Sequence, residues 1–142
     1  MEDPRIRVAA YVLRYRDGPE LLVFDHIGVP RAGTQIPAGG VRPGEDLEDA
    51  LRREIAEETG LFEVEVVGQL GVDHRPHPHS NRARRTTYFQ LRTSADTADT
   101  WTHRVVGAGE DEGLDFACYF VPLPLDRPLA DHQDAWLNQI SS

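Results

Sequence analysis

The sequence predicts an α+β fold, a mixed β-sheet sandwiched between α-helices, on three observations. Short β-rich runs separated by turns occupy both halves of the chain, one amphipathic helical run lies between them, and a second apolar stripe at helical spacing lies near the end. With 142 residues and 39% hydrophobic content, a single domain over residues 1–142 is expected. Such a chain buries roughly two thirds of its unfolded surface, so it needs no covalent staples.

Ile6 to Tyr15, rich in Val, Ala, Leu and Tyr, reads as a strand. Asp17-Gly18-Pro19 is a turn, and Leu21-Leu22-Val23-Phe24 is a short buried strand that completes a hairpin. Gly28 to Gly44 is too dense in glycine and proline for regular structure. Asp46 to Thr59 is helical, with Gly60 as its C-terminal cap. Phe62, Val64, Val66 and Leu70, alternating with Glu63 and Glu65, read as a half-buried strand. Arg85 to Arg92 is a further strand, and Leu114, Phe116, Cys118 and Phe120 share one face of a later one. Residues 93–113, polar and glycine-rich, read as a long loop. Leu129, Trp136, Leu137 and Ile140 form the closing helical stripe.

Composition excludes several functions. One cysteine, Cys118, cannot form an internal disulfide and fits a reducing compartment. No apolar run approaches the ~20 residues of a membrane span. The acidic N-terminus lacks the layout of a signal peptide, so a cytoplasmic location is expected. All fifteen bases are arginine, which removes Schiff-base lysine chemistry and any P-loop lysine. A net charge of −9 argues against general nucleic-acid binding. The charge is uneven, however: His74 to Arg92 holds five arginines and no acid. An acidic body with one basic window suits an anionic small molecule handled locally, with metal ions covering the rest.

The helix carries carboxylates on an unexpected face. At 100° per residue, with Leu47 at the origin, Leu51 and Ile55 define the core stripe. Glu58 then falls between Leu47 and Leu51, Glu54 borders the stripe, and Glu57 flanks both. A buried carboxylate is costly unless paired, protonated or metal-bound. Carboxylates at i, i+3 and i+4 lie within mutual reach, and a hard divalent cation would relieve their repulsion. Salt bridging by Arg52 and Arg53 is the structural alternative, and the helical wheel alone leaves the two readings level.

The run from Gly39, Gly-Gly-Val-Arg-Pro-Gly-Glu-Asp-Leu-Glu-Asp-Ala-Leu-Arg-Arg-Glu-Ile-Ala-Glu-Glu-Thr-Gly-Leu, resembles the signature of the Nudix hydrolase family. Gly39, Glu45, Arg53, Glu54, Ile55, Glu57, Glu58, Gly60 and Leu61 meet every signature position. Seven fixed residues at ~7% each recur by chance on the order of once in 10⁸ starting points. The resemblance implies the Nudix fold and Mg²⁺- or Mn²⁺-dependent hydrolysis of a nucleoside diphosphate linked to another group, with water attacking phosphorus. By position it makes Glu57 and Glu58 metal ligands, and Glu54 a further ligand or the base. It adds the Ala38 carbonyl to the metal shell, and Arg53 with Glu45 as a supporting ion pair. Gly39 and Gly40 let the backbone approach the site closely. Family members often recruit one more acid from a distant loop, for which Glu110, Asp111, Glu112 and Asp115 are candidates; a solvated acidic turn is the competing reading.

Substrate signals are mixed. Pro76, fifteen residues past Leu61, and the Pro37-Ala38-Gly39 lead-in resemble ADP-ribose hydrolases of the family. The chain length instead suits its dinucleoside polyphosphate or nucleoside triphosphate branches. Arg75, Arg82, Arg84 and Arg85 are candidate phosphate contacts, since arginine forks match phosphate oxygens. Strand alternation allows at most one of Arg84 and Arg85 to line the site. Trp101, Tyr88 and Tyr119 are candidates for stacking on a base, with core packing favoured for the tyrosines. The clustered histidines lack a cysteine partner and are not read as a zinc site. Related enzymes often pair, so a homodimer is also carried as an expectation. A non-catalytic nucleotide-binding sensor is the rival function; complete signature glutamates argue against it.

Overall fold

The computed structural model describes residues 3–107 and 111–141. Strand β1 (Arg5–Tyr15) turns into β2 (Pro19–His26). The glycine-rich stretch holds a 3-10 turn at Pro30–Ala32 and a short strand β3 (Ala38–Gly40), so it is less irregular than its composition suggests. Helix α1 (Leu47–Thr59) follows, then β4 (Val64–Asp73), β5 (Arg84–Thr93), β6 (Thr100–Arg104) and β7 (Asp115–Pro122). The seven strands form one sheet in the order β4-β5-β1-β2-β7-β6, with β3 also paired to β1. The sheet is mixed: β1 runs parallel to β5, and the remaining pairs are antiparallel.

Alternation along β1 assigns the two faces. Val8, Ala10 and Val12 pack with Leu51 and Ile55 of α1 and with Phe24, Phe116 and Cys118. Burial among these apolar neighbours pushes the Cys118 thiol up to about 12, which makes it inert. Ala9, Tyr11 and Leu13 face the other way, against Tyr88, Leu129, Trp136 and Ile140. Helix α1 is capped as its sequence requires. The Asp46 carboxylate accepts the Asp49 amide at 2.8 Å, and Gly60 takes the left-handed conformation (φ 75°) with its N–H on Ala56 O. Among the described residues, no helix is long and apolar enough to cross a membrane.

Four expectations need correction. The closing helix is absent: Ala130–His132 and Leu137–Gln139 are 3-10 turns. Asp131 and His132 both take φ of 53°, which breaks any helix, and the segment trades helical bonds for long-range ones. The Ala130 amide donates to Thr34 O, the Trp136 amide to the Tyr11 hydroxyl, and the Ser141 amide to Gln90 Oε1. Residues 93–113 are not all loop, because Thr100–Arg104 pairs with β7 as an edge strand. Phe62 lies before β4 and is 78% exposed, and Leu114 precedes β7 and is 40% exposed. Leu70 leaves the face of Val64 and Val66, because a bulge between Val66 and Gly68 flips the alternation and sends it to the opposite core.

Candidate active site

Helix α1 crosses the sheet beside β3, and the two elements form the floor of a cleft of about 730 Å³. Glu54, Glu57 and Glu58 all line it, together with Ala38, Gly39 and Gly40. The departure from a simple apolar stripe is real: Glu58 is buried, at 9% exposure. Its Oε1 accepts the Ala38 amide at 2.9 Å. Burial, then the nearby Glu54 carboxylate, push the Glu58 carboxyl well above the usual carboxylate range. Burial also raises Glu54, against the pull of Arg53.

Arg53 is the hub of this floor. Its Nε and Nη2 fork onto both oxygens of Glu45 at 2.8 Å, and Nη2 also donates to Gly40 O at 2.8 Å. Nη1 reaches Glu54 at 2.7 Å and Glu57 at 3.5 Å. This bidentate grip, joined by the Arg42 amide on Glu45, holds the Glu45 carboxyl down at about 2. Arg42 Nη2 also contacts Glu57, at 3.3 Å.

Two glycines sit against the carboxylates. A Cβ on Gly39 would lie 2.2 Å from Glu54 Cδ, and one on Gly107 (φ 117°) would lie 2.6 Å from Glu57 Cδ. The end of α1 is tied to β6 and the segment after it. Glu57 O accepts from the Val106 amide and lies 3.1 Å from His103 Nε2, while Thr59 O accepts from Trp101 Nε1 at 2.7 Å.

This donor set fits a hard divalent cation. It is all oxygen, it is half-buried to buried, and its ionised form is short of positive charge. Among the described residues, no three His, Cys, Asp or Glu side chains already converge on one point as metal ligands; Arg53 and Arg42 hold the glutamates instead.

Of the other expected site residues, Asp111 and Glu112 line the cleft and Glu110 lies outside the described residues. Asp115 is turned away into an ion pair with Arg104 at 3.0 Å. Of the four candidate phosphate arginines, Arg84 lines the cleft while the neighbouring Arg85 is exposed on the opposite face of β5. Arg84 forks onto Asp131, with Nη2–Oδ1 at 2.8 Å, and donates to Arg75 O and Pro76 O. The Arg75 side chain pairs with Asp73 at 3.5 Å, and neither it nor Arg82 lines the cleft.

Tyr88 is core, and Tyr119 donates its hydroxyl to Asp25. Trp101 caps α1 beside a shallower hollow of about 500 Å³ that contains none of the signature glutamates. Sequence reasoning missed Arg5 and Arg7, which line the cleft from β1, with the Arg5 guanidinium against Gly40. Their i, i+2 spacing at the start of a strand was the available signal.

Comparison with known proteins agrees with this architecture. The chain is 50% identical over 58 residues to an RNA pyrophosphohydrolase of Caulobacter vibrioides, a match covering 41% of this chain and 34% of that protein. The match thus spans about a third of that relative's length. The NUDIX domain of Shewanella oneidensis NrtR, solved with ADP ribose, superposes with a TM-score of 0.71 at 18% identity, covering 98% of this chain and 87% of that one. A MutT NUDIX hydrolase from Burkholderia pseudomallei superposes with a TM-score of 0.64 at 24% identity, covering 99% and 100%. The NUDIX domain profile matches residues 4–137, nearly the whole chain, and the chain belongs to that family.

Proposed function

We propose that this chain is a metal-dependent pyrophosphohydrolase that cleaves the P–O–P bond of a nucleoside diphosphate linked to another group. The observation that carries the reading is the cluster of Glu54, Glu57 and Glu58 on the cleft floor, two of them with carboxyls raised by burial. Glu54, Glu57 and Glu58, with the Ala38 carbonyl, would hold Mg²⁺ or Mn²⁺. The cation would neutralise phosphate charge and lower the pKa of water.

The chain's own residues do the rest. Arg53, anchored on Glu45, fixes the directions of Glu54 and Glu57. Asp111 or Glu112 adds a further carboxylate from the loop after β6. Water oxygen bonds to phosphorus as the bridging P–O bond breaks. The water proton passes to a floor carboxylate, for which Glu54 is the candidate, and the departing phosphate takes the bridging electron pair. A reducing compartment belongs to the same reading, since Cys118 is buried and unpaired.

Phosphate release with Mg²⁺ or Mn²⁺ from a panel of nucleotides, reported through a coupled phosphatase, tests the proposal. Turnover that vanishes with chelator is expected. No turnover of any panel member with either metal would overturn it.

A further inference from the structure

The part of the cleft lined from β1 and β5, its wall, is basic, and its charge is unequally used. The parallel register of β1 and β5 sets Arg5 beside Arg84, with Arg7 two residues further along the same face of β1. Arg84 is neutralised by Asp131. Arg5 and Arg7 have no carboxylate partner within ion-pair distance among the described residues. Arg7 is half-buried between the two halves of the site: its charge is felt by Glu54 and Glu58 on one side, and by Arg84 and Asp131 on the other. Burial, then the Arg84 guanidinium, pull the Arg7 guanidinium below its usual range. Cations held together in this way are short of an anion.

A second feature concerns the nucleobase. Among the described residues lining the cleft there is no Phe, Tyr or Trp. The imidazoles of His77 and His79 do line it, and the His77 ring accepts amides from His79 and Ser80 on Nδ1, at 3.1 Å each. The cleft is therefore lined mainly by groups suited to the oxygens of a polyanion, with the His77 and His79 imidazoles as the aromatic rings among its described lining residues.

We infer that Arg5 and Arg7 form a subsite for the unesterified terminal phosphate of the substrate, so that the chain selects nucleotides ending in a free phosphate over those esterified at both ends of the polyphosphate. Two guanidinium forks match a terminal dianion; a diester phosphate carries one charge and a bulky substituent where the forks must approach. The subsite rests on the pyrophosphohydrolase reading, with cleavage at the floor and the outer phosphate on the wall.

The test compares adenosine 5′-tetraphosphate with diadenosine tetraphosphate, and ATP with ADP-ribose, on wild type, R7Q, R5Q and R7K. Wild type is expected to favour the free-ended member of each pair in kcat/KM. R7Q is expected to lose on the order of 10²-fold on free-ended substrates, little on the others, and R7K to recover part of the loss. Inorganic triphosphate should compete against wild type and more weakly against R7Q. A preference for the doubly esterified member, or an equal loss on both by a folded R7Q, overturns the subsite while leaving the pyrophosphohydrolase reading standing. Should R7Q melt early, the same comparison is read on R5Q. If nothing turns over, the enzyme reading fails, and equal binding of inorganic triphosphate to wild type and R5Q would overturn the subsite as well.

Discussion

The floor and the wall of the cleft are built on different principles. The floor is local: Glu45, Arg53, Glu54, Glu57 and Glu58 lie within fourteen consecutive residues; helical geometry groups the last four, and the Arg53 fork ties in Glu45 from just before the N-cap. The wall is assembled from a distance, with Arg5 and Arg7 on β1, Arg84 on β5 and Asp131 in the closing turn. The floor is acid-rich, with Arg53 shared among its carboxylates, whereas on the wall Asp131 pairs with Arg84 and leaves Arg5 and Arg7 without a carboxylate at ion-pair distance. Each half thus lacks the charge that the proposed metal and phosphate would supply.

Removing a floor carboxylate is the strongest way to break this pairing. Glu58→Gln should lower turnover on the order of 10³-fold, as loss of a preorganised charge at the reacting centre does. The amide Oε1 can still accept from Ala38, so the metal-free Tm at neutral pH should equal or exceed that of wild type. Full activity with unchanged melting would sink the assignment of Glu58.

Arg53→Ala should cost about 10–100-fold in activity or metal affinity by releasing Glu45, Glu54 and Glu57 together, as loss of a group that orients ligands does. Isothermal titration with Mn²⁺ would separate lost affinity from lost turnover. Gly107→Ala sharpens the picture further, since the new Cβ must displace Glu57 in a backbone conformation that alanine resists. Activity should fall while Tm moves by only a few degrees; an unaffected rate would show that Glu57 has room to move.

Acidity offers a gentler probe. The Glu58 and Glu54 carboxyls are raised in the fold, so protonation favours the metal-free folded state. Stability from this source is full below the ordinary 4.5 and is lost as pH rises through the folded values. Glu45, held at about 2 by Arg53, acts oppositely: its contribution is present above 4.5 and is lost as pH falls toward 2. Metal-free Tm measured from pH 5 to 8 should therefore decline more steeply for wild type than for Glu58→Gln. The smallest effect is expected from Asp46→Ala, which removes the α1 cap at about 1 kcal/mol and should leave turnover per folded molecule unchanged.

What could be read from the sequence follows the same division. Helix α1 and its inward carboxylates were legible because side-chain positions repeat every 3.6 residues, and its Gly60 cap because glycine follows the last turn. The wall was not legible, because the β1–β5 register that aligns Arg5 with Arg84 is a tertiary fact. Of the basic window, Arg84 alone among the four expected arginines reaches the cleft. The closing segment misled for a related reason. Leu129, Trp136, Leu137 and Ile140 do face the core, but long-range bonds from Tyr11, Gln90 and Thr34 win over helical ones. Strand β6 escaped notice as a five-residue edge piece among polar neighbours.

The two tryptophans fall on opposite faces of the sheet. Trp101 hydrogen-bonds the carbonyl of Thr59, the residue after Glu58, whereas Trp136 packs over Gly71 and donates to Asp73 at 3.0 Å. The molecule therefore carries its own pair of optical reporters. With Trp136 replaced by Phe, the remaining indole emission comes from the end of the glutamate helix, where a change in wavelength would register ligand arrival without any label.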